Sequence, residues 1–392
     1  MSLKRVTGRS YRDTDSTVTT FNTSFKTFKR VVVSRSIDNV CGEFSITLTR
    51  PVDNSTPFKV GEVLDIKIDN TQVMRGKIYS IDPEGDAGDD VIIISGRDIT
   101  GDLIDSTVPD DSKVYTDGAR LFDIAGSIIR SKGMDKVLTA VNGTGAEIDP
   151  FTTTEIISCE IGDTVVEFLF KYCRKRQVFL NTTVNGNLLF FRANGRETGN
   201  RVINLLSDNE NNVISYKAKF NLAQRFYKYI CKTQSSEAWT SGAVDSQGEA
   251  LDTGVSNFRE LEFKLEEGFN GASECKARAI EEANVRRARA FEYSATVQGF
   301  KDKVMWGINQ FVTVHDDRSG VHGKFLIKGV EYVIDNRKGS TTRLTIVDQD
   351  AYTAEAAISA RAKGESNRQW YNELTDTLPT PDNLRVILED GN

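Results

Sequence analysis

Histidine is almost missing from this chain of 392 residues: only His315 and His322 occur. Any imidazole-based catalytic arrangement would have to use one of those two. Cysteine is sparse as well. Cys41, Cys159, Cys173, Cys231 and Cys275 are odd in number, scattered, and form no CxxC pair. Such usage fits reduced, mostly buried thiols better than a disulfide framework or a zinc site. Long apolar runs are lacking, Val91 to Ile94 being typical, so no helix is expected to cross a bilayer. Met1-Ser2-Leu3-Lys4-Arg5 leads into polar residues, and no signal peptide is expected. An excess of positive charge is also lacking. Lys and Arg number 50 against 56 Asp and Glu, a net charge of −6, which disfavours a life on duplex nucleic acid. No proline stands between Pro150 and Pro379, so nothing there resembles a Pro-rich linker.

What remains is ordinary globular material: 39% hydrophobic, 27% charged and 9% aromatic residues. At roughly 150 residues per domain, two or three domains are expected, in a soluble protein made in the cytoplasm. Residues 1–29 are polar and weakly periodic, an arm. From residue 30 to 109, short strands alternate with turn residues. Phe44, Ile46 and Leu48 alternate with polar neighbours, as a half-buried strand requires. Such strands argue for a small barrel or sandwich. From 110 to 210 the pattern turns helical and then returns to strands. Leu121, Ile124, Ala125, Ile128 and Ile129 form one helical face, with Asp117 placed to cap its start and Gly133 its end. Thr164-x-x-Glu167 is a capping box before a second helix that buries Val165, Phe168, Leu169, Tyr172 and Cys173. Asn185-Gly186 between two apolar runs signals a hairpin. Strands resume over 211–352, interrupted by a Gly/Ser/Glu-rich excursion, 235–272, and a helix from Glu274 to Ala290. Residues 353–392 form a polar extension.

The two strand-rich regions resemble each other. Gly61-x-Val63-x-x-Ile66, Gly76-Lys77-Ile78 and Val91-to-Asp98 find counterparts in Gly307-x-x-x-Phe311-x-x-Val314, Gly323-Lys324-Phe325-x-Ile327 and Arg343-to-Asp350. The offset stays near 250 residues (76 to 323, 98 to 350). Duplication would give two similar barrels separated by an inserted α+β domain, a mainly β, α+β chain.

Candidate chemistry is thin. His315 and His322 flank Asp316 and Asp317, but Asp316 to His322 has the composition of a hairpin turn. Glu84 to Asp90 lacks the ligand order of a calcium loop and is a solvated tip. No phosphate-cradling glycine motif, GxSxG elbow or HExxH is present. The Glu274–Ala290 helix mixes Lys276, Arg278, Arg286, Arg287 and Arg289 with Glu274, Glu281 and Glu282, a salt-bridging face rather than a nucleic-acid patch. No catalytic, cofactor-binding or metal-binding residue is therefore assigned.

The segment Ser95-Gly96-Arg97-Asp98-Ile99-Thr100-Gly101-Asp102-Leu103-Ile104-Asp105-Ser106 follows Gly42-x-Phe44-x-Ile46-x-Leu48-x-Arg50-Pro51. With the C-terminal run Gly323-Lys324-Phe325-x-Ile327-x-Gly329-Val330-x-Tyr332 and Ala351-Tyr352, it resembles the baseplate hub family of contractile-tailed phages, the group of the phage Mu tail hub and late control D proteins. The resemblance spans about residues 30 to 352. It implies a T4-hub-like fold with two tube-protein-like barrels, a homotrimer, and a structural role without enzymatic activity or cofactor. Six barrels would then match a sixfold tail tube to a threefold spike. Implied partners are copies of itself, the tube protein, the trimeric central spike and other baseplate proteins, with DNA only in transit through the channel and no stable membrane binding. The implied location is the tail baseplate of a virion assembled in a bacterial cytoplasm. Gly96, Arg97, Asp98, Gly101 and Asp102 are expected to be structural, at turns or interfaces. Leu384, Val386 and Leu388 alternate as a strand would and are candidates for spike contact by strand addition. Two other classes stay open: a type VI secretion spike-like hub, which would carry an OB-fold and β-helix beyond the hub, and a glycan-binding module using Trp239.

Overall fold

The computed structural model describes residues 17–20, 24–25, 28–50, 58–68, 71–85, 90–109, 114–115, 118–145, 147–152, 157–176, 178–196, 202–205, 211–234, 244–255, 259–265, 271–299, 305–336, 339–348 and 352. The first β unit contains β1 (Thr17–Thr20), β2 (Ser24–Phe25), β3 (Arg30–Ser36), β4 (Glu43–Thr49), β5 (Val63–Ile68), β6 (Thr71–Gly85) and β7 (Asp90–Asp98). Its strands run β3-β4-β7-β6-β5 in space, all antiparallel. Alternation explains them: in β4, Phe44, Ile46 and Leu48 are buried while Glu43 and Thr49 face solvent. The expected arm is in part a strand, since β1 pairs with β5 and so belongs to the sheet.

Next come α1 (Gly101–Ile104), β8 (Val114–Tyr115), α2 (Leu121–Ser131), β9 (Ala140–Asn142), β10 (Ile157–Ser158), α3 (Val165–Lys175), β11 (Phe179–Thr182) and β12 (Leu188–Phe191). The buried faces of α2 and α3 are those the periodicity predicts, and both contribute to a core of their own. The capping box forms, with the Glu167 amide donating to Thr164 Oγ1 and the Thr164 amide donating to Glu167. Gly133 ends α2 with φ of 68°, a conformation that L side chains avoid. The start of α2 departs from expectation: Arg120 is the N-cap, without a side-chain cap. Gly186, φ 86°, turns β11 into β12.

β13 (Val202–Leu205) lies in the stretch expected to belong to the inserted domain. It joins the main sheet instead, parallel to a strand of the second β unit. β14 (Val213–Phe220) follows. The stretch expected to be an excursion, 235–272, holds two strands among its described residues. β15 (Lys228–Gln234), β16 (Val244–Leu251) and β17 (Glu260–Lys264) form a separate sheet under α4 (Ala272–Ala290), around a small core of Tyr229, Cys231, Ala250, Leu265, Cys275 and Ala279. Arg225 clamps this insert through two 2.8 Å bonds to buried Asp252. Burial alone would raise the Asp252 carboxyl, but Arg225 and Arg287 hold it below its ordinary range.

The second unit ends with β18 (Phe291–Gln298), β19 (Phe311–Asp316), β20 (Val321–Asp335) and β21 (Gly339–Asp348). Its order, β14-β18-β21-β20 with β19 on β20, repeats that of the first. The duplication extends to backbone detail. Gly61 donates to the Ile78 carbonyl and Asn309 to that of Ile327; Ile78 donates back to Glu62, and Ile327 to Gln310. Gly61 and Asn309 both have positive φ, 86° and 56°. Each long strand then bulges, at Tyr79 and at Lys328, and Ile78 pairs with Gly96 where Ile327 pairs with Ile346. Offsets are thus 248 (61 to 309), 249 (78 to 327) and 250 (96 to 346). One detail of the expected alignment shifts: Gly76 pairs with Leu64 as Phe325 pairs with Val312, so the two Gly-Lys pairs are not equivalent. Gly76 is small because the Phe44 ring stands where its Cβ would be, 2.6 Å away.

The two units share one thirteen-stranded sheet and one core, joined where Gly329–Asp335 of β20 pairs antiparallel with Arg30–Ser36 of β3. Gly76→Ala and Gly96→Ala are each expected to cost up to about 3 kcal/mol in urea denaturation, the upper end of overpacking penalties. Phe44→Leu should recover much of the loss at Gly76. It should recover little at Gly96, where an added Cβ would lie 2.0 Å from the Lys77 carbonyl oxygen.

Candidate assembly site

The segment Gly96 to Asp105 leaves β7 and enters α1, so it sits where the first β unit meets the inserted domain. Gly96 lies under Phe44. Arg97 ion-pairs with Asp105 and places its guanidinium 4.5 Å from the Tyr79 ring centre. Asp102 accepts from Lys77 Nζ at 2.8 Å and from the Tyr79 hydroxyl at 2.9 Å. Burial, helped by that carboxylate, pushes the Tyr79 phenol up to about 12. At Gly101, a Cβ would approach the same hydroxyl to 2.9 Å. The bulge at Tyr79 therefore aims its ring between Arg97 and Asp102, so Arg97, Gly101 and Asp102 of the expected residues meet around that ring.

Asp98 points the other way, into the protein. It is fully buried and accepts the Gly42 amide at 2.7 Å, while its Oδ1 has no hydrogen-bond partner. Burial raises its carboxyl to about 6, against the opposing pull of the Arg35 charge and the Gly42 amide. Around it lies a polar joint that sequence reasoning missed. Arg35 donates to the carbonyls of Val73 and Thr182. Asn181 donates to the carbonyls of Ser36 and Asn39 at 2.7 and 2.8 Å, and Thr182 to that of Val40 at 2.8 Å. The Cys41 thiol, raised to about 12 by burial, contacts the Thr100 hydroxyl at 3.2 Å. These groups tie the β3–β4 turn to the β11–β12 hairpin. Their only sequence signal is polar residues in strands, which looks the same as a solvent face.

The remaining candidates separate. His315 and His322 face each other across β19 and β20 with ring centres 6.3 Å apart. Asp316 is a turn former: it accepts from the amides of Arg318 and Ser319, and also from the Tyr293 hydroxyl. Among the described residues no group of three or more His, Cys, Asp or Glu is placed to share a metal ion. On α4, Arg278 and Arg286 both pair with Glu282, at 3.2 and 2.7 Å. Among the described residues no helix is long and apolar enough to cross a membrane. Trp239, Leu384, Val386 and Leu388 lie outside the described residues.

Known proteins are similar to this chain in sequence and fold. Residues 18–98 match the family model described as Mu phage baseplate assembly protein GpP-like, N-terminal. Over 360 residues the chain is 23% identical to the baseplate hub protein gp44 of Escherichia phage Mu, covering 88% of this chain and 90% of that protein. The 43 kDa tail protein of prophage MuSo2 from Shewanella oneidensis superposes with a TM-score of 0.75 at 24% identity, over 86% of this chain and 99% of that one. A tail protein from Neisseria meningitidis MC58 gives 0.73 at 19% identity, over 87% and 98%. The resemblance drawn from the sequence is borne out: the chain is similar to phage baseplate hub proteins and has their mainly β fold.

Asp98 gives a pH prediction. The neutral carboxyl is favoured in the folded state, so its contribution is complete below the ordinary value of 3.8 and is lost as pH rises through about 6. Asp98→Asn should remove this loss. Urea midpoints of wild type and variant, compared from pH 4 to 7, should diverge with pH; parallel curves would mean that Asp98 does not titrate in this window.

Proposed function

We propose that this chain, similar as it is to phage baseplate hub proteins, is the structural hub of a contractile tail baseplate and acts as a symmetry adaptor. The observation that carries the reading is the duplication of a five-strand unit, with the bulge of its long strand kept at Tyr79 and Lys328, within one continuous sheet. Two like units per chain present six like surfaces when three chains assemble. Such a ring meets a sixfold tail tube on its β units, while the inserted domains keep threefold symmetry toward a trimeric spike. The role is mechanical, with no catalytic step assigned to any residue, and its place is the virion tail.

In this reading Gly96, Arg97, Asp98, Gly101 and Asp102 hold the β unit and the inserted domain at a fixed angle, so that a load on the tube reaches the spike side. Leu384, Val386 and Leu388 remain candidates for spike contact by strand addition. Deleting residues 380–392 should then abolish spike attachment while leaving the hub assembled.

Light scattering over a tenfold concentration range should give three times the chain mass of 43.6 kDa. Electron micrographs of that species should show six lobes around a channel. Twofold or fourfold particles, or a monomer that fails to bind purified tail tubes, would overturn the reading. Arg97→Ala should weaken tail assembly without unfolding the chain; unchanged assembly would remove Arg97 from the joint's function.

A further inference from the structure

His315 and His322 are the only imidazoles in the chain, and the β19–β20 register sets them directly opposite each other. Opposed residues of an antiparallel pair share one face of the sheet, with Cβ atoms about 4.5–5.5 Å apart. On that face the two ring centres are 6.3 Å apart and the ring planes are inclined at 44°. Solvent reaches both: His315 is half-buried and the His322 side chain is 45% exposed. Asp317 holds a carboxylate oxygen 3.5 Å from Nε2 of His322. Its neighbour Asp316 is fully buried and belongs to the turn. There it accepts from the Tyr293 and Ser319 hydroxyls and from the amides of Arg318 and Ser319. The turn therefore offers one free carboxylate, not two, and the leading donors are the two imidazoles with Asp317 behind one of them.

We propose that His315 and His322 form a two-imidazole chelate for a late first-row transition ion, of the Zn²⁺, Ni²⁺ or Cu²⁺ class. Imidazole nitrogen suits these ions, whereas carboxylate and carbonyl oxygens suit Mg²⁺, Ca²⁺ and Mn²⁺. Metal–nitrogen bonds of about 2.0–2.1 Å draw the two rings somewhat closer than they stand. Rotation about the side-chain bonds of a solvent-reached pair supplies that approach. Water fills the positions the two rings leave, so the site is open. Asp317 is placed to take the remaining ring N–H of His322 and so to orient that ligand toward the ion. The site is not part of the duplication. At the offset of 248, Lys67 stands where His315 does, and it pairs with Gln72. One ion per chain is therefore bound, in the second unit alone. It clips together the turn ends of β19 and β20 at the point where Asn204 brings β13 alongside His315. The proposal stands on this hairpin and does not rest on the hub reading.

Titration calorimetry of the untagged full chain with Ni²⁺ and with Zn²⁺ should saturate at one ion per chain. Cu²⁺ should bind more tightly than either, and Mg²⁺ should give no heat at the same concentrations. His315→Asn and His322→Asn should each weaken Ni²⁺ binding at least tenfold. The double variant should lie within about twofold of either single one, because a chelate is lost with its first arm. Asp317→Asn should weaken binding roughly tenfold, the lower end for a carboxylate that orients a metal-bound histidine. Urea midpoints without metal should match across the set, showing that the variants fold, and Ni²⁺ should raise the thermal midpoint of wild type but not of the double variant. Ni²⁺ binding that survives in the double variant overturns the proposal, as does Mg²⁺ binding as tightly as Ni²⁺, which would make the turn carboxylates the ligands. Losses that multiply from single to double variant also overturn it, since they mean two separate one-imidazole sites. None of these results bears on the hub reading, which the native mass tests.

Discussion

The ladder between Gly329–Asp335 and Arg30–Ser36 is the constraint on which the rest of the structure depends. It joins the last long strand to the first strand of the repeated unit, across most of the chain's length. Without it, the molecule would be two half-sheets connected through an inserted domain. With it, Val31, Val33, Tyr332 and Ile334 enter the same apolar core as the rest of both units. A β-ladder fixes two rigid bodies in rotation as well as distance, because its hydrogen bonds come in register or not at all. That suits the proposed role, in which the two units present like surfaces at a set angle.

The second constraint is polar and lies between sheet and inserted domain. Arg35 sits at the end of β3, beside the ladder, and reaches the Thr182 carbonyl on the hairpin of the inserted domain. Asn181 and Thr182 return bonds to the turn after β3. Buried polar groups of this kind are directional, so they resist sliding in a way that an apolar seam does not. Asp98 and Arg35 each keep one buried polar atom unmatched, Oδ1 and Nε. The raised Asp98 pKa reflects the cost of burying a carboxylate there.

Legibility in the sequence followed the range of the interactions. The α2 and α3 faces, the Thr164–Glu167 capping box and the Asn185-Gly186 turn were legible because each is set by neighbours within a turn or two. Of the β15–β17 insert, β15 was legible and β16 and β17 were not. Its core uses small residues, Cys231, Ala250, Cys275 and Ala279, and its glycines imitate turns. Gly248 in fact lies in mid-strand against α4, where a Cβ would fall 2.1 Å from the Lys276 amide nitrogen. The polar joint was illegible for a different reason: Arg35 and Thr182 are 147 positions apart, and nothing local distinguishes them from surface residues. Of the candidate site, the contacts made by Arg97, Asp98 and Asp102 were not legible, because their partners Tyr79, Gly42 and Lys77 lie on other strands or turns.

The glycine placement shows how two copies of one unit have diverged without losing their geometry. In the first unit Phe44 fills the space between β6 and β7, and Gly76 and Gly96 make room for it. In the second, Tyr293 occupies the place of Phe44, but Phe325 and Ile346 stand where the glycines were. The Tyr293 hydroxyl reaches buried Asp316 at the end of β19, so the ring is held by a hydrogen bond and not by a hollow in the sheet. Core composition changed while the backbone kept its bulges at Tyr79 and Lys328. Bulges set strand curvature and twist, so they are the feature that like external surfaces require. Side chains inside are free to vary as long as volume is conserved. The proposed role requires the two outer faces to be equivalent, and under that requirement the shared bulge should outlast the core residues beneath it.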